Sequence, residues 1–165
     1  MVDVRRIRAD EGERLKTLRL RALAGSPDAF GTTLAEAEQA PDDYWARRAE
    51  RGALAGASIT VIACDGEAWY GMAAGYFEPE HADVVEFVSL WVDPARRRAG
   101  TATALCEAVA HWARERGATR LRLWVTETNT AAKSLYTRLG FVETNQTAPL
   151  PSNPALREVQ MIRDL

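Results

Sequence analysis

The feature that most constrains the fold is a junction in the middle of the chain. There, an apolar segment passes through an arginine-rich loop into an amphipathic helix. The segment 84–92 is almost continuously apolar, as a strand covered on both faces is. Pro94 ends this segment, and from Ala104 onward apolar residues recur at the spacing of one helical face. We therefore predict a central strand that leads directly into a helix.

The loop between this strand and this helix has the composition of an anion site. Unpaired N–H groups at a helix start, and a partial positive charge of about half a unit, both face the preceding loop. Gly100 and Ala102 let the backbone approach a phosphate closely, while Arg97 and Arg98 offer charge-assisted hydrogen bonds. The loop matches neither the lysine-bearing nucleotide loop nor the dinucleotide glycine pattern, which disfavours ATP and NAD. A solvated basic turn is the alternative interpretation.

The rest of the chain predicts a mixed fold around this junction. Together with segment 84–92, six further segments have the alternation or β-branched content of strands: 2–8, 58–63, 68–77, 121–125, 141–144 and 156–162. Four helices are predicted, near 10–23, 41–51, 104–116 and 129–139. The prolines Pro149, Pro151 and Pro154 predict a loop between the last two strands. We expect one domain over residues 1–165, of the α+β (mixed α/β) class.

Composition narrows the classes of function. Hydrophobic residues make up 47% of the 165 residues and charged residues 27%, enough apolar material for a single core. The formal net charge of −2 argues against nucleic-acid binding. The chain start has no long hydrophobic run, so we expect a cytoplasmic protein without membrane contact. Cys64 and Cys106 lack metal-ligand spacing, so no metal site is expected.

A second motif follows the next strand and changes the interpretation of the first. The two motifs are Val92-x-Pro94-x-x-Arg97-x-x-Gly100-x-Ala102 and Asn129-x-x-Ala132-x-x-x-Tyr136-x-x-x-Gly140-Phe141. In residues and in order they resemble the GNAT N-acetyltransferase superfamily. The resemblance is densest over 84–144 and extends, by the order of elements, over essentially the whole chain. It implies a central mixed, mostly antiparallel sheet of about seven strands flanked by four helices.

The resemblance also implies a reaction and a cofactor site. Members transfer the acetyl group of acetyl-CoA to a primary amine of a small molecule or peptide, by direct attack in a ternary complex. The backbone of Leu90, Trp91 and Val92 would bind the pantetheine arm as an added strand does. Asn129 and Ala132 would contact the cofactor. The pyrophosphate would lie on the run Arg97, Arg98, Ala99, Gly100, Thr101, Ala102 and Thr103.

This sequence departs from the family pattern at two positions of the pyrophosphate loop. Arg98 stands where many members carry glycine, and Thr101 stands where a branched aliphatic residue is frequent. The Arg98 side chain can reach a phosphate, so the anion site is retained. Dimers are frequent among proteins of this kind, so we also expect a homodimer.

Two side chains are predicted to move protons. Tyr136 lies on the helical face of Asn129, and the resemblance implies that it protonates the leaving thiolate as well as touching the cofactor. Its alternative is a rim aromatic whose hydroxyl bonds a structural partner. Glu86 interrupts an apolar strand, where burial would raise its pKa toward working pH and suit a general base. Its alternative is a paired or edge-exposed carboxylate.

Several carboxylates between the first predicted helix and the first turn of the second favour a cationic acceptor: Asp28, Glu36, Glu38, Asp42 and Asp43.

Two other functions also fit the motifs. One is a catalytically silent acyl-CoA-binding or regulatory module on the same fold, against which Tyr136 argues. The other is a binder of a different phosphate ligand that uses only the arginine-rich helix start.

Overall fold

Seven strands form one sheet, in which a single pair among the described strands is parallel. The computed structural model describes residues 2–54 and 56–165, so Met1, the first residue of the expected domain, lies outside them. The strands are β1 (Asp3–Arg6), β2 (Ser58–Asp65), β3 (Ala68–Glu78), β4 (His81–Val92), β5 (Arg120–Thr126), β6 (Val142–Leu150) and β7 (Asn153–Asp164). Their order is β1-β2-β3-β4-β5-β7-β6, and β4 and β5 are the parallel pair. This order confirms the predicted mixed, mostly antiparallel sheet with segment 84–92 at its centre.

The described residues form five α-helices, so the prediction of four was wrong by one short helix. The helices are α1 (Gly12–Gly25), α2 (Leu34–Glu38), α3 (Tyr44–Leu54), α4 (Thr101–Glu115) and α5 (Thr130–Arg138). The additional helix is α2, which begins with a capping box. The Thr33 hydroxyl accepts a hydrogen bond from the Glu36 N–H at 3.1 Å, and the Thr33 N–H donates to the Glu36 carboxylate at 2.9 Å.

The predicted proline loop near the end of the chain was wrong. Strands β6 and β7 instead form a hairpin, and Pro149 pairs in register with Arg157. The missing N–H of Pro149 is tolerated because β6 lies at the edge of the sheet. The Ser152 hydroxyl at the hairpin turn donates to the Phe30 carbonyl at 2.6 Å. This bond ties the hairpin to the segment between α1 and α2.

Helices cover both faces of the sheet. Along β2, Ile59, Val61 and Ala63 belong to the core shared with α4 and α5, whereas Ile62 and Cys64 belong to the core shared with α1 and α3. This alternation is the period of two that a strand imposes on its side chains. The sheet therefore separates an α4–α5 side from an α1–α3 side.

Helices α1 and α3 meet at Gly12, where the contact leaves no room for a side chain. A Cβ on Gly12 would lie 2.8 Å from the backbone nitrogen of Ala46. We predict that Gly12→Ala lowers the free energy of unfolding by about 1–3 kcal/mol, because the helices must move apart. Thermal unfolding of the purified variant measures the loss.

The matched control is Gly25→Ala at the other end of the same helix. A Cβ there meets nothing within 4 Å, so we expect a neutral or slightly stabilising effect. Equal midpoints for the two variants would contradict the close approach of α1 and α3.

Candidate active site

A cleft opens where the two parallel strands of the sheet separate. In the part of the chain that the structure describes, β4 and β5 pair only from Val84 and Arg120 to Glu86 and Arg122. Beyond this point β4 contains a bulge: Val88 and Trp91 pair with Ala74 and Met72, so two residues of β4 face one of β3. A bulge bends its strand, so β4 turns away from β5.

The bulge contains a strained residue. Ser89 has a φ of 62°, in the left-handed region that costs a non-glycine residue roughly 1–2 kcal/mol. The cavity below the bulge measures about 430 Å³ and is lined by β4, β5, α1, α3 and α5. It connects the two sides of the sheet, since α1 and α5 lie on opposite faces.

The predicted anion loop lies at the start of α4. The helix begins at Thr101, three residues earlier than predicted, so Thr101, Ala102 and Thr103 belong to its first turn. Gly100 precedes the turn with a φ of 80°, and no side chain caps the helix. A Cβ on Gly100 would meet nothing within 4 Å, so the space in front of the helix is open.

An unsatisfied hydroxyl marks the same turn. Thr101 is buried, with 2% of its surface exposed, and its Oγ1 has no hydrogen-bond partner among residues 2–54 and 56–165. A buried hydroxyl without a partner costs about 1–3 kcal/mol. An uncapped helix start beside such a group is the arrangement that a bound anion satisfies.

The three loop arginines have different partners. Arg96 pairs with Asp65 at 3.4 Å, and the Arg97 Nε donates to the Val92 carbonyl at 3.0 Å, which closes the loop. Arg98 is exposed and has a φ of 64°. The side chain of Arg98 has neither a hydrogen bond nor an ion pair with any described residue.

The predicted pantetheine residues end β4 beside the cleft. Leu90 lines the cleft, and Val92 is buried in the core on the α4–α5 side. The Trp91 side chain belongs instead to the core on the α1–α3 side, with Arg21 over its ring at 5.2 Å. A role for Trp91 is therefore limited to its backbone.

Helix α5 brings Asn129 and Tyr136 to the same side of the sheet as α4. The Asn129 side chain caps the helix by accepting from the Ala132 N–H at 3.1 Å. Tyr136 lines the cleft, and its ring makes an edge contact with Phe141 at 5.8 Å. Its hydroxyl has no hydrogen-bond partner among the described residues. Burial raises the pKa of Tyr136 above its usual range, so the phenol keeps its proton at neutral pH.

Glu86 lies in the wall of the cleft and is 4% exposed. Its carboxylate forms an ion pair with Arg122, which also contacts Glu78 at 3.1 Å. Burial raises the pKa of Glu86 above the usual carboxyl range, and Arg122 opposes this shift. Glu86 is thus a paired carboxylate that faces the cleft.

Five charged residues that line the cleft were not identified from the sequence: Arg19, Arg48, Glu78, Arg122 and Glu158. Arg19 of α1 donates to the Ser89 hydroxyl at 2.9 Å, and Arg48 of α3 donates to it at 3.4 Å. Burial and the neighbouring Arg48 lower the pKa of Arg19 to about 9. The sequence did contain a signal for Arg19. This charged residue lies four residues after Leu15, on the face of α1 whose other residues are buried and mostly apolar.

None of the five acidic residues that favoured a cationic acceptor lines the cleft, so the selection of a cationic acceptor stays a prediction. Glu36 caps α2, and Asp43 pairs with Arg47. Asp28 lines a separate, smaller cavity beside Asn129. The carboxylates that do line the cleft are Glu78, Glu86 and Glu158.

No group of three or more histidine, cysteine, aspartate or glutamate side chains that could hold a metal ion occurs within residues 2–54 and 56–165. In the same ranges, none of the helices combines the length and apolarity that crossing a bilayer requires.

The sheet splits at its parallel pair, and the helix that follows β4 has an open, uncapped start, so the chain is an α+β protein with a cleft between two central strands. The model of the acetyltransferase (GNAT) family matches residues 23–141. The chain therefore belongs to the GNAT acetyltransferase family, and the predicted resemblance is confirmed.

Individual relatives agree with this assignment. Aminoglycoside N(6')-acetyltransferase type 1 from Klebsiella aerogenes is 38% identical over 95 residues. These cover 54% of this chain and 62% of the relative, so the chain matches less than two thirds of that protein's length.

Two solved structures show the same fold. An acetyltransferase of the GNAT family from Streptococcus pneumoniae has a TM-score of 0.81 at 17% identity and covers 100% of this chain and 99% of its own. The PaiA N-acetyltransferase from Thermoplasma acidophilum, in complex with coenzyme A, has a TM-score of 0.69 at 14% identity. The match covers 100% of this chain and 99% of the PaiA chain.

The left-handed backbone of Arg98 makes a testable prediction about the anion loop. Arg98→Gly removes the steric cost of this conformation, whereas Arg98→Ala removes the same charge and keeps the cost. We expect the glycine variant to be more stable than the alanine variant by about 0.5–1 kcal/mol. Thermal unfolding without ligand compares them, and an alanine variant of equal or greater stability would contradict the loop geometry.

Proposed function

We propose that this protein is an acetyl-CoA-dependent N-acetyltransferase that acetylates a primary amine of a small molecule or peptide in a ternary complex. One observation carries the proposal: the uncapped start of α4, with the buried Thr101 hydroxyl, follows directly on β4, the strand that forms one wall of the cleft. Membership of the GNAT family supports it. The reaction needs no nucleophilic side chain, because the amine attacks the thioester directly.

The residues at the start of α4 fit the pyrophosphate of acetyl-CoA. Its oxygens would accept hydrogen bonds from the first N–H groups of the helix and from the Thr101 hydroxyl. The free guanidinium of Arg98 adds charge, and Gly100 leaves the approach open. Leu90 and Val92 would hold the pantetheine arm along the free edge of β4, where pairing with β5 has ended.

Tyr136 is the proposed acid. Tyr136 lines the cleft, and its protonated hydroxyl has no hydrogen-bond partner among the described residues, so it is free to donate to the departing sulfur of coenzyme A. Asn129 fixes the start of the helix that carries Tyr136. The proton moves from the phenol oxygen to the thiolate as the carbon–sulfur bond breaks.

Glu86 is the proposed proton acceptor for the amine. An amine whose pKa is near about 10 arrives protonated and must lose a proton before it attacks. Glu86 faces the cleft, and its raised pKa makes it a better base than an exposed carboxylate. Arg122 keeps it oriented.

The thermal unfolding midpoint with acetyl-CoA, coenzyme A or ATP tests the cofactor assignment. A ligand at about a hundred times its dissociation constant stabilises by about 2.7 kcal/mol, or roughly 5–10 °C for a chain of this length. We expect this rise with both coenzyme A compounds and little change with ATP. An equal or larger rise with ATP would indicate a general phosphate site instead.

Tyr136→Phe tests the acid. We expect kcat for thiol release to fall by about 100-fold or more, with the acetyl-CoA-induced rise in midpoint retained, since phenylalanine keeps the ring contact with Phe141. Unchanged kcat in this variant would remove Tyr136 from the reaction. Coenzyme A binding without turnover of any amine by the wild type would favour a silent acyl-CoA-binding module.

Glu86→Gln tests the base through the pH profile. A base must be unprotonated, so kcat/KM should rise as pH increases through the pKa of Glu86, which burial places above the usual carboxyl range. We expect Glu86→Gln to lose this rise of kcat/KM with pH and to have a much lower kcat/KM at neutral pH. Glu80→Gln, at an exposed site in the β3–β4 turn, is the control. If kcat/KM of Glu86→Gln still rises with pH as in the wild type, the general base is another group.

A further inference from the structure

Two arginines in the cleft wall lack an acidic partner. Arg19 is 6% exposed, yet neither it nor Arg48 lies within 4.0 Å of a carboxylate of any described residue. Arg122, the third arginine of the cleft, differs because Glu86 and Glu78 both pair with it. The uncompensated positive charge is therefore confined to the α1–α3 side of the cleft.

The groups around this pair orient the charges without neutralising them. Both guanidinium groups donate to the same atom, the Ser89 hydroxyl oxygen, so they lie within two hydrogen-bond lengths of each other. The Phe30 ring lies 4.4 Å from the Arg19 guanidinium, and the Tyr44 hydroxyl accepts from Arg48 at 3.1 Å. These contacts hold two like charges together, which is costly in a buried place unless an anion joins them.

We propose that Arg19 and Arg48 form a binding site for a carboxylate of the acceptor, so that the substrate is a small amine that also carries a carboxylate. This inference rests on the proposed function and specifies its substrate. The guanidinium donors that Ser89 does not use are suited to the two oxygens of one carboxylate. The anion would lie against β4, next to the bulge where the thioester is expected.

Another element of the cleft lining, strand β7, carries the complementary charge. Glu158 of β7 pairs in register with Thr126 of β5 and lines the cleft. Its carboxylate has no ion pair with the residues of the described ranges, and burial raises its pKa. A zwitterionic amino acid matches this distribution, with its carboxylate at the arginines and its ammonium toward the carboxylates of Glu86 and Glu158. An acceptor with cationic groups alone does not match it.

Matched acceptors test the proposal. Thiol release with acetyl-CoA is measured for the common protein amino acids, for their carboxamides and, for lysine and leucine, for 1,5-diaminopentane and 3-methylbutylamine. We expect the best substrate to carry a free carboxylate and its carboxamide to have a kcat/KM lower by roughly 10- to 100-fold, mainly through KM. Midpoint shifts with the same compounds in the presence of coenzyme A measure binding without turnover.

Substitutions connect the preference to the two arginines. Arg48→Gln should remove the preference for the carboxylate, raising KM for the amino acid and leaving its carboxamide unchanged. Arg19→Gln should do the same, and Arg19→Lys should restore part of the preference if the glutamine variant is unstable. Arg47→Gln is the matched control, because Arg47 lies next to Arg48 on α3 and pairs with Asp43 outside the cleft.

The outcomes separate this inference from the proposed function. Acetylation of amines with equal or better use of the carboxamides would overturn the carboxylate site and leave the acetyltransferase intact. Full retention of the preference for the carboxylate in Arg48→Gln would likewise overturn the carboxylate site and leave the acetyltransferase intact. If acetyl-CoA neither shifts the midpoint nor supports thiol release with any amine, the proposed function itself fails. If acetyl-CoA binds, but no amino acid is acetylated in preference or shifts the midpoint more than its carboxamide, the carboxylate site is wrong.

Discussion

The separation of β4 from β5 is the constraint on which the rest of the site depends. A parallel pair in the middle of a sheet normally continues along both strands, but here it ends at Glu86 because the bulge at Ser89 bends β4 away. The strained serine is held by Arg19 from the helical layer on the α1–α3 side. One break in pairing therefore creates a passage through the sheet and leaves a free strand edge for a ligand.

Polar groups that the described residues leave unsatisfied occur on both sides of the sheet. The hydroxyls of Thr101 and Tyr136 have no hydrogen-bond partner among the described residues, and Arg19 and Arg48, which donate to Ser89, have no acidic partner there. A chain under selection for stability alone would pair such groups, since each costs about 1–3 kcal/mol when left alone. Their occurrence on both sides is explained by one extended cofactor and an acceptor that meet in the cleft.

Much of the fold was predictable from the sequence, because apolar periodicity reports burial directly. The strand at 84–92 lies within β4, and the motif from Asn129 to Tyr136 lies on α5 and its cap, while the helix after β4 begins three residues earlier than predicted. Helix α2 was missed although Thr33 and Glu36 have capping-box spacing, since five residues are too few to show a period. The Arg19–Arg48 pair was missed for another reason: these residues lie on different helices and meet only through Ser89, a long-range contact that no local pattern encodes.

A crystal structure of the complex with coenzyme A would locate the cofactor relative to α4, β4 and Tyr136. We expect the pyrophosphate to accept hydrogen bonds from the first N–H groups of α4 and from the Thr101 hydroxyl. We also expect the pantetheine arm to follow β4 at Leu90 and to place the sulfur next to the Tyr136 hydroxyl. A pyrophosphate bound away from α4, or a sulfur on the far side of the sheet from Tyr136, would contradict both the proposed cofactor site and the role of Tyr136.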